Sequence, residues 1–317
     1  MSGLGELHYD VASAISLGQR EYQEDALICD FPIGSPLGFA VLSDGMGGHA
    51  AGDVASKIVV TEVFSELKLQ SGDQQHLEDD ISGVLRGAAM AANACISAQT
   101  ESDPTTRGMG ATLVAPVLMQ DRLYWISVGD SPLMLFRDRT LSQLNEDHSM
   151  APQIDFLARN GLMEEEHART HPNRGCLTSV LGGRDIARVD CPTKPMQLKD
   201  GDIIVAASDG LQFLDNASIC DLLAEHASRT SAQICAELMA GLKDLDDPDQ
   251  DNISFCVIKV RLPVKSCGDM RPAPCTAAGI VPDLSESCAG VKEASAMRPM
   301  ADARRAVVLS FSSEQRA

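Results

Sequence analysis

Two periodicities organise the first 260 residues. Leu7 to Ile15, Ala26 to Phe31 and Phe39 to Leu42 are short apolar or alternating runs, which predict strands. Ala55, Val59, Val63 and Leu67 then recur every four residues, with Val60 and Phe64 on the neighbouring face, which predicts an amphipathic helix lying on a core. After a polar break near residue 72, Ile81, Leu85, Ala88, Ala92 and Ile96 keep the same spacing and predict a second helix. Between 110 and 144 the runs shorten again. Ala111 to Leu118, Leu123 to Val128 and Leu133 to Phe136 are β-rich and separated by turn residues, the pattern of an antiparallel meander. Asp202 to Ala207 predicts a further strand. Two more helical stripes follow, Ile219 with Leu222 and Leu223, then Ile234, Cys235, Leu238, Met239 and Leu242. Ile253 to Val260 predicts a last strand.

Two segments interrupt this order. Residues 145–180 are polar and poor in strand formers apart from a helical patch at Ile154 to Leu162, which reads as a solvated surface insertion, with a mobile segment over a site as the alternative. From Pro263 onward alanine, proline, serine and isolated charges dominate, with one short apolar run at Ala306 to Phe311. The expected organisation is therefore a folded domain over 1–262 and a flexible tail over 263–317 that the chemistry does not need.

Composition narrows the class. The 317 residues are 44% hydrophobic, enough for a sizeable core, and carry a formal charge of -19 with a sequence pI near 4.6. That charge argues against nucleic acid or an anionic membrane surface as a partner, since both would be repelled. No run of about 18 apolar residues and no basic, then apolar, N-terminal segment is present, so a soluble cytoplasmic protein is expected. The ten cysteines are scattered and form no Cys-x-x-Cys pair. They read as reduced residues, mostly in the core, rather than as a disulfide framework or a zinc site.

The chemistry rests on a repeat. Ser43-Asp44-Gly45 ends one apolar run, and Ser208-Asp209-Gly210 ends another in almost the same letters. A single Asp-Gly is an ordinary turn signal. Here Asp130 also follows a strand run and Asp251 precedes one, while Glu24 and Asp25 stand side by side before a third. Such a set of hard oxygen donors suits Mg²⁺ or Mn²⁺. A pair of these ions can hold a water, lower its pKa and direct it at phosphorus. Arg20, on the same loop as Glu24 and Asp25, offers a planar fork for two phosphate oxygens.

Seven motifs in order carry a resemblance: Arg20 with Glu24-Asp25, Ser43 to His49, Gly108 to Thr112, Val128 to Ser131, Leu177 to Gly182, Ala207 to Gly210, and Asp251 to Ser254. Over roughly residues 8 to 260 the chain resembles the type 2C, metal-dependent Ser/Thr protein phosphatases (the PPM family), and among them the compact bacterial members. The resemblance implies an α+β fold, a four-layer αββα sandwich of two antiparallel β-sheets flanked by helices, with metals at one end between the sheets. It implies that the carboxylate of Asp44 bridges two core ions, that the carbonyl of Gly45 binds one of them, and that Asp209 and Asp251 complete the pair. Asp130, with Asp209, takes the place of a ligand to a third, weaker ion. Glu24 and Asp25 resemble residues acting through metal-bound waters, and Arg20 resembles the phosphate clamp. Residues 145–175 match the region called the flap.

The implied activity is hydrolysis of phosphoserine and phosphothreonine in proteins by a metal-activated water, opposing a cognate Ser/Thr kinase, in a protein expected to be monomeric. Two positions depart from the pattern. Met46 stands where some members have a histidine proposed as general acid, so no general acid is assigned, and Pro132 stands where many have an arginine. A docking pseudophosphatase is the alternative, and it is expected to lack one of the core aspartates. A hydrolase of small phosphoesters is disfavoured because no glycine-rich loop with a lysine is present.

Overall fold

The computed structural model describes residues 7–48, 50–263 and 307–311. In chain order the strands are β1 (His8–Ser16), β2 (Asp25–Asp30), β3 (Leu37–Met46), β4 (Gly110–Ala111), β5 (Leu113–Met119), β6 (Arg122–Val128), β7 (Leu133–Arg137), β8 (Thr140–Gln143), β9 (Met196–Gln197), β10 (Ile203–Ala207), β11 (Ile253–Arg261) and β12 (Val307–Phe311). The helices are α1 (Ala50–Gln70), α2 (Gln74–Asp79), α3 (Ile81–Ser102), α4 (Ala151–Arg159), α5 (Glu165–Arg169), α6 (Asn216–His226) and α7 (Ser231–Asp244).

The strands form two sheets, ordered β12-β1-β11-β10-β7-β8 and β2-β3-β5-β6-β9. All pairings are antiparallel except that of β12 with β1. Alternation along each strand sends side chains to two apolar layers, so the sandwich has three such layers in all. One lies between the sheets and holds Leu42, Val114, Leu123, Leu135, Ile204, Cys256 and Ile258. The second joins α1 and α3 to the outer face of the β3-β5-β6 sheet through Val59, Val63, Leu85, Ile96, Phe39 and Ile126. The third joins α6 and α7 to the other sheet through Leu223, Leu238, Phe255 and Val257. The helical stripes predicted from four-residue spacing are the buried faces of α1, α3, α6 and α7. α3 is long and apolar enough to cross a membrane by composition. Here Ile81, Leu85, Ala88, Ala92 and Ile96 lie in the second apolar layer instead.

The structure corrects the reading of the middle of the chain. The run from 110 to 144 is not one meander: β5 and β6 pair in one sheet, β7 and β8 in the other, and Gly129-Asp130-Ser131-Pro132 carries the chain across. The crossing is fixed on both sides, because Leu133 N–H donates to the Asn145 side chain at 2.7 Å and Ala207 N–H donates to the Pro132 carbonyl at 3.0 Å. α2 and α5 also escaped the pattern, being too short to show a period. In the insertion, Arg174 makes a two-pronged pair with Asp155 at 2.6 and 2.9 Å, which ties the end of the segment to α4. Within the tail, Val307–Phe311 lies alongside β1 as β12, so that stretch is a strand rather than flexible chain. The other tail residues beyond 263, and His49, lie outside the described residues.

Candidate metal centre

Every predicted site residue arrives at one end of the sandwich. Arg20, Glu24, Asp44, Gly45, Asp130, Asp209 and Asp251 line a single pocket of about 330 Å³, with Thr112, Asn252 and the insertion residues Gly175 and Leu177 as further walls. Asp25 lies beneath it, 5% exposed, with its carboxylate accepting from the Ser208 hydroxyl at 2.8 Å.

The strands deliver these groups by register. Asp44 is not past the end of its strand, as the sequence pattern suggested. β3 runs on to Met46 because Gly45 and Met46 pair with Ala111 and Gly110 of β4. Asp25, the first residue of β2, pairs with Asp44. Asp209 begins the 3₁₀ turn after β10, and Asp251 stands two residues before β11. Two glycines make the crowding possible. A Cβ on Gly45 would sit 2.0 Å from the Gly52 carbonyl oxygen of α1, and one on Gly210 would sit 1.9 Å from the Asn252 carbonyl oxygen.

Three residues that the sequence reading missed hold the frame. Asn252, 4% exposed, donates to the Leu17 and Tyr22 carbonyls at 2.9 and 3.0 Å and accepts from Glu24 N–H at 2.8 Å. It stitches down the loop that carries Arg20 and Glu24. Thr112 Oγ1 accepts from Asp44 N–H at 2.9 Å and is hydrogen-bonded to the Ser131 hydroxyl at 2.7 Å, linking the Asp44 strand to the Asp130 crossing. Ser208 couples Asp25 to β11, since Ser254 N–H donates to its hydroxyl at 3.0 Å. The signal for Asn252 and Ser208 was their place beside Asp251 and Asp209; for Thr112 it was its place at the end of the Gly108 to Thr112 motif, since the apolar run it opens gave none.

The electrostatics are those of carboxylates crowded out of water. Burial first, then repulsion from Asp209 and Asp251, raises Asp25 to about 7 despite hydrogen bonds from Ser208 and Ser254. Burial, then Asp209 and Asp147, raises Asp130 to about 7. Asp44 is pushed well above the usual carboxylate range by burial and by Asp25, Asp209, Asp130 and Asp251 together. Asp209 is also raised, by burial and Asp251, although a hydrogen bond with Asp44 and the charge of Arg20 pull it back.

Among the described residues no three acidic, histidine or cysteine side chains close round a common point. The carboxyls are taken up in pairs, Asp44 with Asp209 and Asp251 with the Arg20 guanidinium at 2.6 Å. Asp209 Oδ1 is buried with no hydrogen-bond partner. An all-oxygen donor set with an unsatisfied buried acceptor and excess negative charge fits a hard divalent cation, and fits Zn²⁺ or copper poorly. Met46 lies on the lip of the pocket and supplies no proton donor.

A family model described as Protein phosphatase 2C matches residues 21–245. The Mycobacterium tuberculosis serine/threonine protein phosphatase PstP is 36% identical over 176 residues, which are 54% of this chain and 31% of PstP. The Listeria monocytogenes serine/threonine phosphatase stp is 35% identical over 171 residues, 54% of this chain and 65% of that protein. The matches thus span about a third and two thirds of these curated relatives. The crystal structure of the M. tuberculosis phosphatase PstP/Ppp superposes with a TM-score of 0.66 at 28% identity, covering 80% of this chain and 99% of that one. The catalytic domain of PstP in complex with two manganese ions superposes at 0.63 and 27% identity, covering 80% and 98%.

Proposed function

Because this chain belongs to the protein phosphatase 2C family, we propose that it is a divalent-metal-dependent phosphatase of phosphoserine and phosphothreonine in proteins, opposing one or more Ser/Thr kinases. The observation that carries the reading is the convergence of Asp44, Asp130, Asp209 and Asp251 with Arg20 on one pocket. Asp44, Asp209 and Asp251 would hold Mn²⁺ or Mg²⁺ as a core pair, with the Gly45 carbonyl, and Asp130 with Asp209 a third ion. When bound, the metal supplies a water activated as nucleophile and a clamp on the phosphoryl oxygens.

The remaining work belongs to the chain itself. Arg20, more than half exposed, can reach outward and grip two oxygens of a phosphate dianion in its planar fork. Asn252 and Thr112 keep the loop and strand behind Arg20 and Asp44 from moving as charge builds. Gly175, the last residue of the 145–175 segment, and Leu177 just after it wall the pocket where a peptide would enter, which supports that segment as the part that reads substrate. No side chain is assigned as general acid, since Met46 has no proton to give. A pseudophosphatase would be expected to have lost one of the core aspartates, and all are present. A cytoplasmic location, read from composition, and a monomeric state belong to the same proposal.

The deciding experiment is release of phosphate from a phosphothreonine peptide by the purified protein with Mn²⁺, with EDTA, and with the Asp209→Asn variant. Turnover only in the first arm is the expected result. Equal turnover in EDTA, or none with any metal, rejects the reading.

A further inference from the structure

The sulfurs of Cys29 and Cys256 stand 3.4 Å apart across the layer between the two sheets. Cys29 is on β2, on the face it shares with Leu27 and, two residues further back, Asp25; Cys256 is on β11, two residues after Ser254. Their strands lie in different sheets, so the sulfur contact bridges the sandwich. The two thiols differ in access. Cys256 is fully buried, whereas Cys29 sits on an edge strand and is partly exposed. Contact with Cys29, then burial, holds the Cys256 thiol well above its ordinary range, so it keeps its proton until a reaction takes it.

We propose that Cys29 and Cys256 are a redox modification site, at which a hydroperoxide oxidises Cys29 and Cys256 then closes on it as a disulfide that ties the two sheets together and lowers turnover. Cys29 sulfur attacks one peroxide oxygen and the O–O bond breaks. The departing oxygen takes up the thiol proton and leaves as water. Cys29, now a sulfenic acid, has lost two electrons. Cys256 sulfur attacks it, the S–O bond breaks, and the hydroxyl leaves as a second water with the Cys256 proton. Two thiols and one hydrogen peroxide thus give one disulfide and two waters.

The link to turnover is geometric. A disulfide requires the sulfurs to close to about 2.05 Å, well inside the present contact. The same face of β2, four residues back, carries Asp25, held against Ser208 across the inter-sheet seam at the metal centre. Drawing β2 towards β11 changes the spacing of that seam where it opens into the pocket, and sites of this kind tolerate displacements of only about 0.5 Å.

The test treats the full-length protein with hydrogen peroxide and maps its peptides without reduction. The expected result is a Cys29–Cys256 cross-linked pair two hydrogens lighter than the separate peptides, and a melting temperature several degrees higher. Mn²⁺-dependent turnover should be at least threefold lower and restored by dithiothreitol. Cys29→Ser and Cys256→Ala should lose the link and the inhibition, while Cys176→Ser, at an exposed cysteine, keeps both. Oxidised Cys29 with no link to Cys256, cross-links only through Cys176, or a complete link with unchanged turnover each overturn the proposal. If Cys256→Ala does not fold, the wild-type peptide map and Cys29→Ser still decide. Mass and melting point need no substrate, so this site and the phosphatase reading fail separately.

Discussion

Asp25 is held by Ser208 in a place where its negative charge is costly, and a titration can detect that. The folded-state values of Asp25, Asp44, Asp130 and Asp209 all lie above their ordinary 3.8. Between pH about 4 and about 7 the folded, metal-free protein therefore binds more protons than the unfolded chain, and stability falls as pH rises through that window. The stabilising contribution is complete below 3.8 and is lost as pH passes the raised values. EDTA-treated protein should gain more melting temperature from Mn²⁺ at pH 8 than at pH 6, because at pH 8 the cation meets ionised ligands that repel one another. A gain that is larger at pH 6 would contradict this electrostatic account. Asp25→Asn should act in two directions. Removing the charge should raise the melting point of the metal-free protein at pH 8, while turnover with Mn²⁺ falls roughly 10- to 100-fold, as for other residues that orient metal ligands. If turnover is unchanged, Asp25 plays no part in setting the site.

The elements show which parts of the sequence were readable and why. Long periods were legible: α1, α3, α6 and α7 each bury the stripe that their four-residue spacing drew. The aspartates were legible because Ser-Asp-Gly recurs and each copy follows an apolar run. What could not be read was set by contacts distant in sequence. β6 and β7 look like neighbours in a meander, yet Asn145 and Pro132 hold the chain in a crossing between sheets, and no local pattern encodes that choice. β3 continues through Asp44 because Ala111 and Gly110 of β4, 66 and 64 residues away, pair with Gly45 and Met46. Thr112 is similar, an apparent strand filler whose hydroxyl carries Asp44 N–H. Thr112→Val keeps the shape and removes that acceptor, so it should cost about 1–3 kcal/mol in denaturant unfolding. Gly210→Ala drives a methyl into the Asn252 backbone and should cost about 1–3 kcal/mol, with turnover falling alongside as Asp251 shifts. A fully stable Gly210→Ala protein would mean that the two loops are not packed as described.

At the scale of the whole molecule the candidate site residues gather at one end of the sandwich, and the proposed chemistry needs only that end. Removal of residues 263–317 tests this. Turnover on a phosphothreonine peptide should stay within about twofold, while the loss of β12 from the edge beside β1 should show as a small drop in melting temperature. A large loss of turnover would place part of the catalytic apparatus in the tail.

The pair formed by Arg20 and Asp251 has a consequence beyond holding a loop. On the proposed reading one carboxylate would be claimed by two cations, a guanidinium now and a divalent ion once metal is bound. The bridge is exposed, 56% at the arginine and 30% at the aspartate, and bridges of this kind are weak. Metal uptake should therefore release Arg20 at small cost and turn it into an anion receptor. The two ligands then become thermodynamic partners. Whatever factor Mn²⁺ adds to the affinity for inorganic phosphate, phosphate must add to the affinity for Mn²⁺, and Arg20→Ala should shrink both by the same ratio in calorimetric titrations.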